Sequence, residues 1–352
     1  LPLWFMAASL KVFGIHEYAV CLPGIIFALL SVWLTYLIAR IIFNEPIALI
    51  ACALHAIHGM HTDLASGRLS SDGVETCFLF FVQLGMYAVF RRQSGQFKWK
   101  DYVFTGIATG LAIMCKWQPA LLVLVVMFVY QFRSKDVGKH MVGSVLALVI
   151  ALATFAPWCC YILYAYPIEA KWMLRAIFTP FQDTTINTDG TWYSYLTDFG
   201  NLFGYSAFLL LASVAWRAMK SKSNMFLALF IWATLPLLIF SLAEVKRGTY
   251  LFISAPALFI LISWAAAQGW RHIRWSERAI PILGFVSILS IAVYSFEKLY
   301  LFRDNSAKNA WSAEIKGRHY EDGEVIYNEP RSIEVMFYHN VTAYPFEKPS
   351  PK

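Results

Sequence analysis

An all-α, polytopic membrane protein is the fold class this sequence predicts, and three observations predict it. Hydrophobic residues make up 59% of the 352 residues, while Asp, Glu, Lys and Arg together reach only 14%. A soluble domain carries about 25% charged residues. Mean hydropathy is +0.54, and roughly ten stretches approach the length and apolarity of a bilayer span. The net charge of +7 is not a nucleic-acid signature. There is no Lys/Arg-rich run, and the cations fall between apolar stretches, as membrane topology demands.

The apolar runs lie at about 18–42, 47–62, 73–90, 102–115, 117–132, 141–165, 202–217, 225–242, 249–267 and 280–301. The runs 102–115 and 117–132 read either as one long broken helix or as two segments meeting at a re-entry point. Lys116 and Pro119 favour the second, because proline cannot continue a helix. The six cysteines lie in or at the ends of these runs, with no metal-like spacing, and read as small apolar packing residues. The chain opens Leu-Pro-Leu with no initiator Met, and is expected to be a fragment whose first span and first loop lie upstream.

Orientation follows from the distribution of Lys and Arg. The odd loops hold Arg40; Arg91, Arg92, Lys98 and Lys100; Arg133, Lys135 and Lys139; Arg217, Lys220 and Lys222; and Arg271, Arg274 and Arg278. The even loops hold Arg68; Lys116; Lys171 and Arg175; and Lys246 and Arg247. The odd loops are therefore expected to be cytoplasmic. Residues 166–200 form a long loop on the other side, rich in aromatics, where KWMLRAIF suits a helix lying on the surface. Residues 1–302 read as the membrane domain. Residues 303–352 shift to soluble composition, with a strand expected around Glu324–Tyr327 and a helix from Ser332 to Tyr338, the start of a small extracytoplasmic α/β module.

Polar residues that solubility does not explain gather on the face opposite the odd loops. Arg68 and Asp72 stand four apart and share a face if the segment is helical. They are either a helix cap and dipole pair, or an arginine placed for a phosphate with a carboxylate orienting it or a sugar hydroxyl. Lys116 is either a snorkelling lysine or a functional cation between two apolar runs. Lys246 and Arg247 oppose the positive-inside bias, and Tyr250 follows within a turn. Two adjacent cations there suit a phosphate leaving group. His55, His58, His61 and Asp63 are either a metal cluster or a polar helix end. Asn340-Val341-Thr342 matches the glycosylation sequon, a weak signal alone.

Taken in order, these segments resemble the GT-C polyprenyl-phosphate-sugar glycosyltransferases, nearest the aminoarabinose transferases and the protein O-mannosyltransferases. Pro2, Leu3 and Trp4, then Phe13-Gly14, are similar to that family's Lys-Pro-Pro-Leu-Tyr-Tyr-Trp segment and Phe-Gly turn. GRLSSD resembles its Arg-x-x-x-Asp element. GLAIMCKWQPAL resembles Gly-Leu-x-x-x-Thr-Lys-Gly, with Cys115 for Thr and Trp117 for Gly. APWCCY resembles Leu-Pro-Trp at Pro157 and Trp158, and GTWYSYL resembles Pro-x-Trp-Tyr-Tyr at Trp192 and Tyr193. FSLAEVKRGTYLFISAPAL resembles the element carrying Ser241, Lys246, Tyr250 and Pro256.

The resemblance implies a GT-C-like helical bundle. It implies transfer of a sugar from an undecaprenyl- or dolichyl-phosphate donor to an extracytoplasmic lipid, glycan or protein acceptor, at the plasma (inner) membrane and without a cofactor or metal. Asp72 and Arg68 would be catalytic. Lys116, Lys246, Arg247 and Tyr250 would bind the donor phosphate, and Trp192 and Tyr193 would belong to a substrate loop. Two departures stand out. The family's main acidic residue, and a lysine, would lie upstream of Leu1, and its Arg-Phe element is not evident near Thr179-Pro180-Phe181. Two other classes fit the composition: a lipid or sugar-phosphate transporter, and a non-catalytic scaffold. A transporter would place ionisable groups near the midplane and carry internal repeats, and neither is visible.

Overall fold

The computed structural model describes residues 1–69, 73–92, 96–132, 134, 136–176, 193–221, 223–243, 247–268, 279–300 and 310–346. Among them the chain is a helical bundle. The helices are α1 (Pro2–Phe13), α2 (Glu17–Ile42), α3 (Glu45–Ile57), α4 (Gly59–Ala65), α5 (Val74–Phe90), α6 (Trp99–Ile113), α7 (Leu122–Gln131), α8 (Val137–Ala165), α9 (Pro167–Ala176), α10 (Ser194–Phe203), α11 (Ser206–Ser221), α12 (Asn224–Ser241), α13 (Ala255–Ala266) and α14 (Ala279–Tyr300). Two 3₁₀ segments, Gln118–Leu121 and Gly248–Ser254, lead into α7 and α13.

Every apolar run became helix, but not every run became one long helix. Among the described residues, five helical stretches are long and apolar enough to cross a bilayer alone: Glu17–Ile42, Val137–Ala165, Asn224–Ser241, Gly248–Ala266 and Ala279–Tyr300. Two bent pairs raise the number to seven: α3 with α4, bent by 58°, and α10 with α11, bent by 94°. Shorter apolar helices, Pro2–Phe13, Val74–Phe90 and Gln118–Gln131, accompany them. The run 47–62 breaks at His58, whose backbone is extended (φ −62°, ψ 124°). Helices α5 and α6 have 17 and 15 residues, at and just below the lower end of the ~17–25 residues of a bilayer span. Lys116 and Pro119 do separate α6 from α7. The Pro119 ring lacks an N–H for an α-helical bond, and a 3₁₀ segment replaces it.

Helix α13 is the central strut. All twelve of its residues are buried, which explains why its sequence is apolar on every side. The Trp232 indole N–H of α12 donates to the Ile253 carbonyl at 2.9 Å, satisfying the 3₁₀ backbone before α13. Helix α8 is the opposite case. Only 11% of its apolar window is buried, and Val142, Val145, Val149 and Leu152 face outward as a lipid-facing wall.

Between α8 and α6 the backbones nearly touch. A Cβ on Gly106 would lie 2.6 Å from the Ala147 carbonyl oxygen, and one on Gly110 would lie 2.7 Å from that of Ala151. The spacing of four puts both glycines on one face, the small-residue device by which membrane helices approach closely. Nearby, the Tyr102 hydroxyl donates to Gln131 Oε1 at 2.9 Å and sits 2.6 Å from His140 Nδ1, tying α6 to α7 and α8.

At the C-terminal end, α15 (Ala310–Lys316), β1 (Val325–Ile326), α16 (Ser332–Tyr338) and β2 (Thr342–Ala343) form a small unit. The strands pair in parallel, Val325 with Thr342 and Ile326 with Ala343. Parallel pairing requires a crossover, and α16 supplies it over a core of Ile315, Val335 and Ala343. Glu17, at the start of α2, accepts from Lys316 Nζ at 2.5 Å and from the Tyr338 hydroxyl at 2.8 Å. The hydrogen bond to Glu17 raises the pKa of Lys316.

Close α6–α8 contact has a measurable consequence. Gly106→Ile or Gly110→Ile must push the helices apart, and overpacking of this kind costs about 1–3 kcal/mol. Both variants should lower the thermal unfolding midpoint in detergent. Gly138→Ala, where nothing lies within 4 Å of the added Cβ, should not. Equal midpoints for all three variants would refute tight backbone packing at this seam.

Candidate active site

Three breaks in helical structure converge on one cleft. The first is the α6–α7 junction. Helix α6 ends at Ile113, the Lys116 N–H reaches back to the Ala112 carbonyl at 2.9 Å, and Trp117 departs from helical geometry (φ −44°, ψ −94°). This turn carries the Lys116 side chain away from the helix axis. The second is the start of α5. Gly73 caps it with a left-handed backbone (φ 60°) and packs against Gly24 of α2, a conformation that glycine adopts without strain. Glu75 follows in the first turn, where the helix dipole favours a carboxylate. The third is the 3₁₀ segment Gly248–Ser254, which carries Tyr250.

These breaks bring together groups far apart in sequence. Lys116 Nζ lies 2.5 Å from Glu75 Oε1, and also over the face of the Tyr250 ring at 4.2 Å. Neither charge is free in water: their side chains are 23% and 18% exposed. An ammonium held by one carboxylate and one aromatic face is balanced electrostatically while keeping an open side. That side opens into a shallow cleft lined by Glu75, Phe78, Leu79, Lys116, Pro119, Phe240, Thr249, Tyr250, Phe252 and Ile253. Its character is apolar wall with a cationic spot, which suits an amphiphile bearing a phosphate.

Buried Tyr195 of α10 fixes the chain just before Tyr250. Its hydroxyl accepts from the Arg247 N–H at 2.7 Å and donates to the Arg247 carbonyl at 3.2 Å. Arg247 is exposed. Beside it, Gly248 lies close to Asp198 of α10 and Met60 of α4. Tyr250 packs against Phe240 with the rings tilted by 39° and their centroids 5.0 Å apart.

The sequence candidates therefore divide. Lys116 and Tyr250 meet in the cleft, and Arg247 stands at the turn leading to it. Arg68 lies beyond the end of the helix that precedes it. Helix α4 ends at Ala65, Gly67 takes a left-handed conformation (φ 75°), and Arg68 turns back to Asp63 at 2.5 Å. Asp63 is 1% exposed, so a buried carboxylate claims the guanidinium. Tyr193 begins α10 and is 51% exposed. Asp72, Lys246 and Trp192 lie outside the described residues.

Two partnerships were not foreseen in the sequence. Glu75 sits within an apolar run, which is itself a signal for a functional carboxylate, but it resembles an ordinary first-turn acid. Asp63 was read with the histidines. Those histidines are buried: His55 accepts or donates at Thr35 Oγ1 (2.8 Å), and His58 Nε2 lies 3.1 Å from the Leu202 carbonyl. The His58 ring stacks on Phe203. Among the described residues no group of three or more His, Cys, Asp or Glu is arranged to hold a metal ion.

With this geometry in view, comparison with known proteins is informative. Residues 1–161 match the dolichyl-phosphate-mannose-protein mannosyltransferase family. An undecaprenyl phosphate-alpha-4-amino-4-deoxy-L-arabinose arabinosyl transferase of Pseudomonas fluorescens is 24% identical over 301 residues, covering 82% of this chain and 52% of the relative. Its counterpart in Pseudomonas aeruginosa is 27% identical over 283 residues, covering 76% and 49%. The chain thus spans about half the length of the curated relatives it matches. In structure, ArnT from Cupriavidus metallidurans bound to undecaprenyl phosphate superposes with a TM-score of 0.66 at 18% identity, covering 97% of this chain and 75% of that one. The archaeal oligosaccharyltransferase AglB from Archaeoglobus fulgidus, in complex with an inhibitory peptide and a dolichol-phosphate, gives 0.56 at 13% identity, covering 98% and 56%. In sequence and in fold, this multi-pass integral membrane protein is similar to the GT-C polyprenyl-phosphate-sugar glycosyltransferases.

Proposed function

We propose that the protein transfers a sugar from a polyprenyl-phosphate donor to a lipid, glycan or protein acceptor on the extracytoplasmic face of the plasma (inner) membrane. The observation that carries this reading is the Lys116 ammonium, held between Glu75 and Tyr250 at the mouth of an apolar cleft. The named relatives, which use or bind undecaprenyl phosphate, support it.

The chemistry is displacement at the anomeric carbon. The acceptor oxygen or nitrogen forms a bond to that carbon, and the bond from carbon to the phosphate oxygen breaks. The acceptor proton passes to a carboxylate, for which Asp72 is the candidate in this chain. The donor phosphodiester carries one negative charge. As the bond breaks, the departing monoester approaches a charge of about −2. A fixed cation gains most where the charge grows, so Lys116 favours the transition state over the bound donor. Lys246 and Arg247 add to the same field, and Arg68 orients from the α4 end. Glu75 occupies the Lys116 ammonium until phosphate arrives. Tyr250 donates a hydrogen bond to the phosphate or sugar. Trp192 and Tyr193 belong to a segment closing over the cleft and excluding water. Residues 1–302 would form the transferase domain, and 303–352 a separate extracytoplasmic segment.

Two experiments test this reading. Lys116→Ala should lower transfer from a polyprenyl-phosphate sugar by ~10²-fold or more, the usual loss when a preorganised charge-stabilising group is removed. Lys100→Ala, at the start of α6 and exposed, should be close to neutral. If the two variants lose the same small amount, Lys116 is an interfacial lysine and nothing more. Sidedness is tested separately by single cysteines in a cysteine-free background. A membrane-impermeant maleimide should label Tyr193→Cys in intact cells, and Lys100→Cys only after permeabilisation. The reverse pattern would place the cleft on the cytoplasmic face.

A further inference from the structure

We propose that Cys77 and Cys115 form a redox-active dithiol whose closure to a disulfide controls the cleft. Their sulfurs lie 3.5 Å apart although the residues are 38 positions apart in sequence. Cys77 is on α5, two residues after Glu75, and Cys115 immediately precedes Lys116. The two thiols thus sit directly behind the ion pair, one on each of its supporting segments. Neither is bonded in a disulfide.

The surroundings permit reaction. Cys115 is half-buried and Cys77 is 1% exposed. Cys77 also lines a small crevice shared with Pro2, Met6, Val20, Pro23 and Phe27, so Cys115 is the more accessible of the two thiols. A disulfide needs its sulfurs ~2.05 Å apart, so closure shortens the sulfur separation by ~1.5 Å, shared between side-chain rotation and movement of the two segments. A shift of even part of this size at positioned groups changes rates by ~10-fold. The segment around Cys115 is a turn, not a continuous helix, and gives way more readily than α5.

The reaction balances with a small disulfide as oxidant. The Cys115 thiolate attacks it, forming a mixed disulfide and releasing one thiol. Cys77 then displaces the second thiol and the protein disulfide forms. Two protons and two electrons leave the protein, and one small disulfide becomes two thiols. Oxidising surroundings outside the cytoplasm favour this direction. Control of the cleft rests on the function proposed above, whereas formation of the bond does not.

The full chain in nanodiscs is treated with diamide, whose N=N bond takes up the two electrons and two protons to become a hydrazine. It is then denatured and alkylated with N-ethylmaleimide. Six cysteines are available in the reduced protein, and the oxidised protein should take two fewer adducts. Peptide mapping should join the Cys77 and Cys115 peptides. Cys77→Ala and, separately, Cys115→Ala should abolish that link, and circular dichroism and size-exclusion profiles report whether each variant folds. Transfer should fall ~10-fold on oxidation, recover with dithiothreitol, and be insensitive to diamide in Cys77→Ala. Undiminished alkylation, or a link confined to the adjacent Cys159 and Cys160, overturns the proposal. A Cys77–Cys115 link with unchanged transfer overturns the control it is assigned. Absence of transfer in both redox states, with the link formed, counts against the proposed function and leaves the dithiol standing.

Discussion

An ammonium group at a junction between apolar helices must find a counter-charge, and much of the site's architecture depends on how Lys116 finds one. Its partner, Glu75, lies 41 residues away, at a helix start. Isolated, either charge would be expensive to remove from water. Together, and with the π-face of Tyr250 against the ammonium, they are affordable while leaving one side of the cation open. The pair obliges the start of α5, the end of α6 and the 3₁₀ segment before α13 to meet.

That meeting also answers the backbone problem of a membrane protein. Within hydrocarbon, irregular backbone survives only where protein groups satisfy it or where it lines a cavity. The breaks at Lys116 and at Gly248–Ser254 do both. Tyr195 accepts and donates at Arg247, and Trp232 covers the Ile253 carbonyl. Such buried hydrogen bonds cost little to make and much to leave unmade. The fully buried α13 and the glycine seam between α6 and α8 hold the surrounding frame. Rigid helices thereby present flexible chemistry at their ends.

The cleft combines an apolar wall with a charge whose value rises as a leaving group departs. In the proposed reaction, substrate recognition and catalysis draw on different parts of one surface: the wall would hold a polyprenyl chain near its phosphate, and the cation would act on the phosphate alone. The dithiol behind Lys116 and Glu75 adds a means of moving that cation without touching the wall. Local covalent change at a turn is an economical control, because a turn resists displacement less than a packed helix does.

Much of the fold was legible in the sequence, because hydrophobic length and period are local properties. The run read at 18–42 became Glu17–Ile42, the run at 280–301 became Ala279–Tyr300, and Pro119 marked the α6–α7 break. Where the helices bend or shorten was not legible, since the break at His58 and the lengths of α5 and α6 depend on what packs around them. Within the site, Lys116 and Tyr250 stood out as polar groups between apolar runs, and the structure sets them 4.2 Å apart. Glu75 did not stand out, because a first-turn carboxylate is ordinary until its partner is known. The Arg68–Asp63 pair did not stand out for a related reason: the chain turns at Gly67 to deliver Arg68 to Asp63, and no helical spacing marks such a turn. By itself, then, the sequence determined that the protein is a helical membrane bundle with cations between its apolar runs. Which charge meets which, and which thiols touch, was decided only by the tertiary structure, because those pairs are set by helix packing across dozens of residues and leave no local pattern.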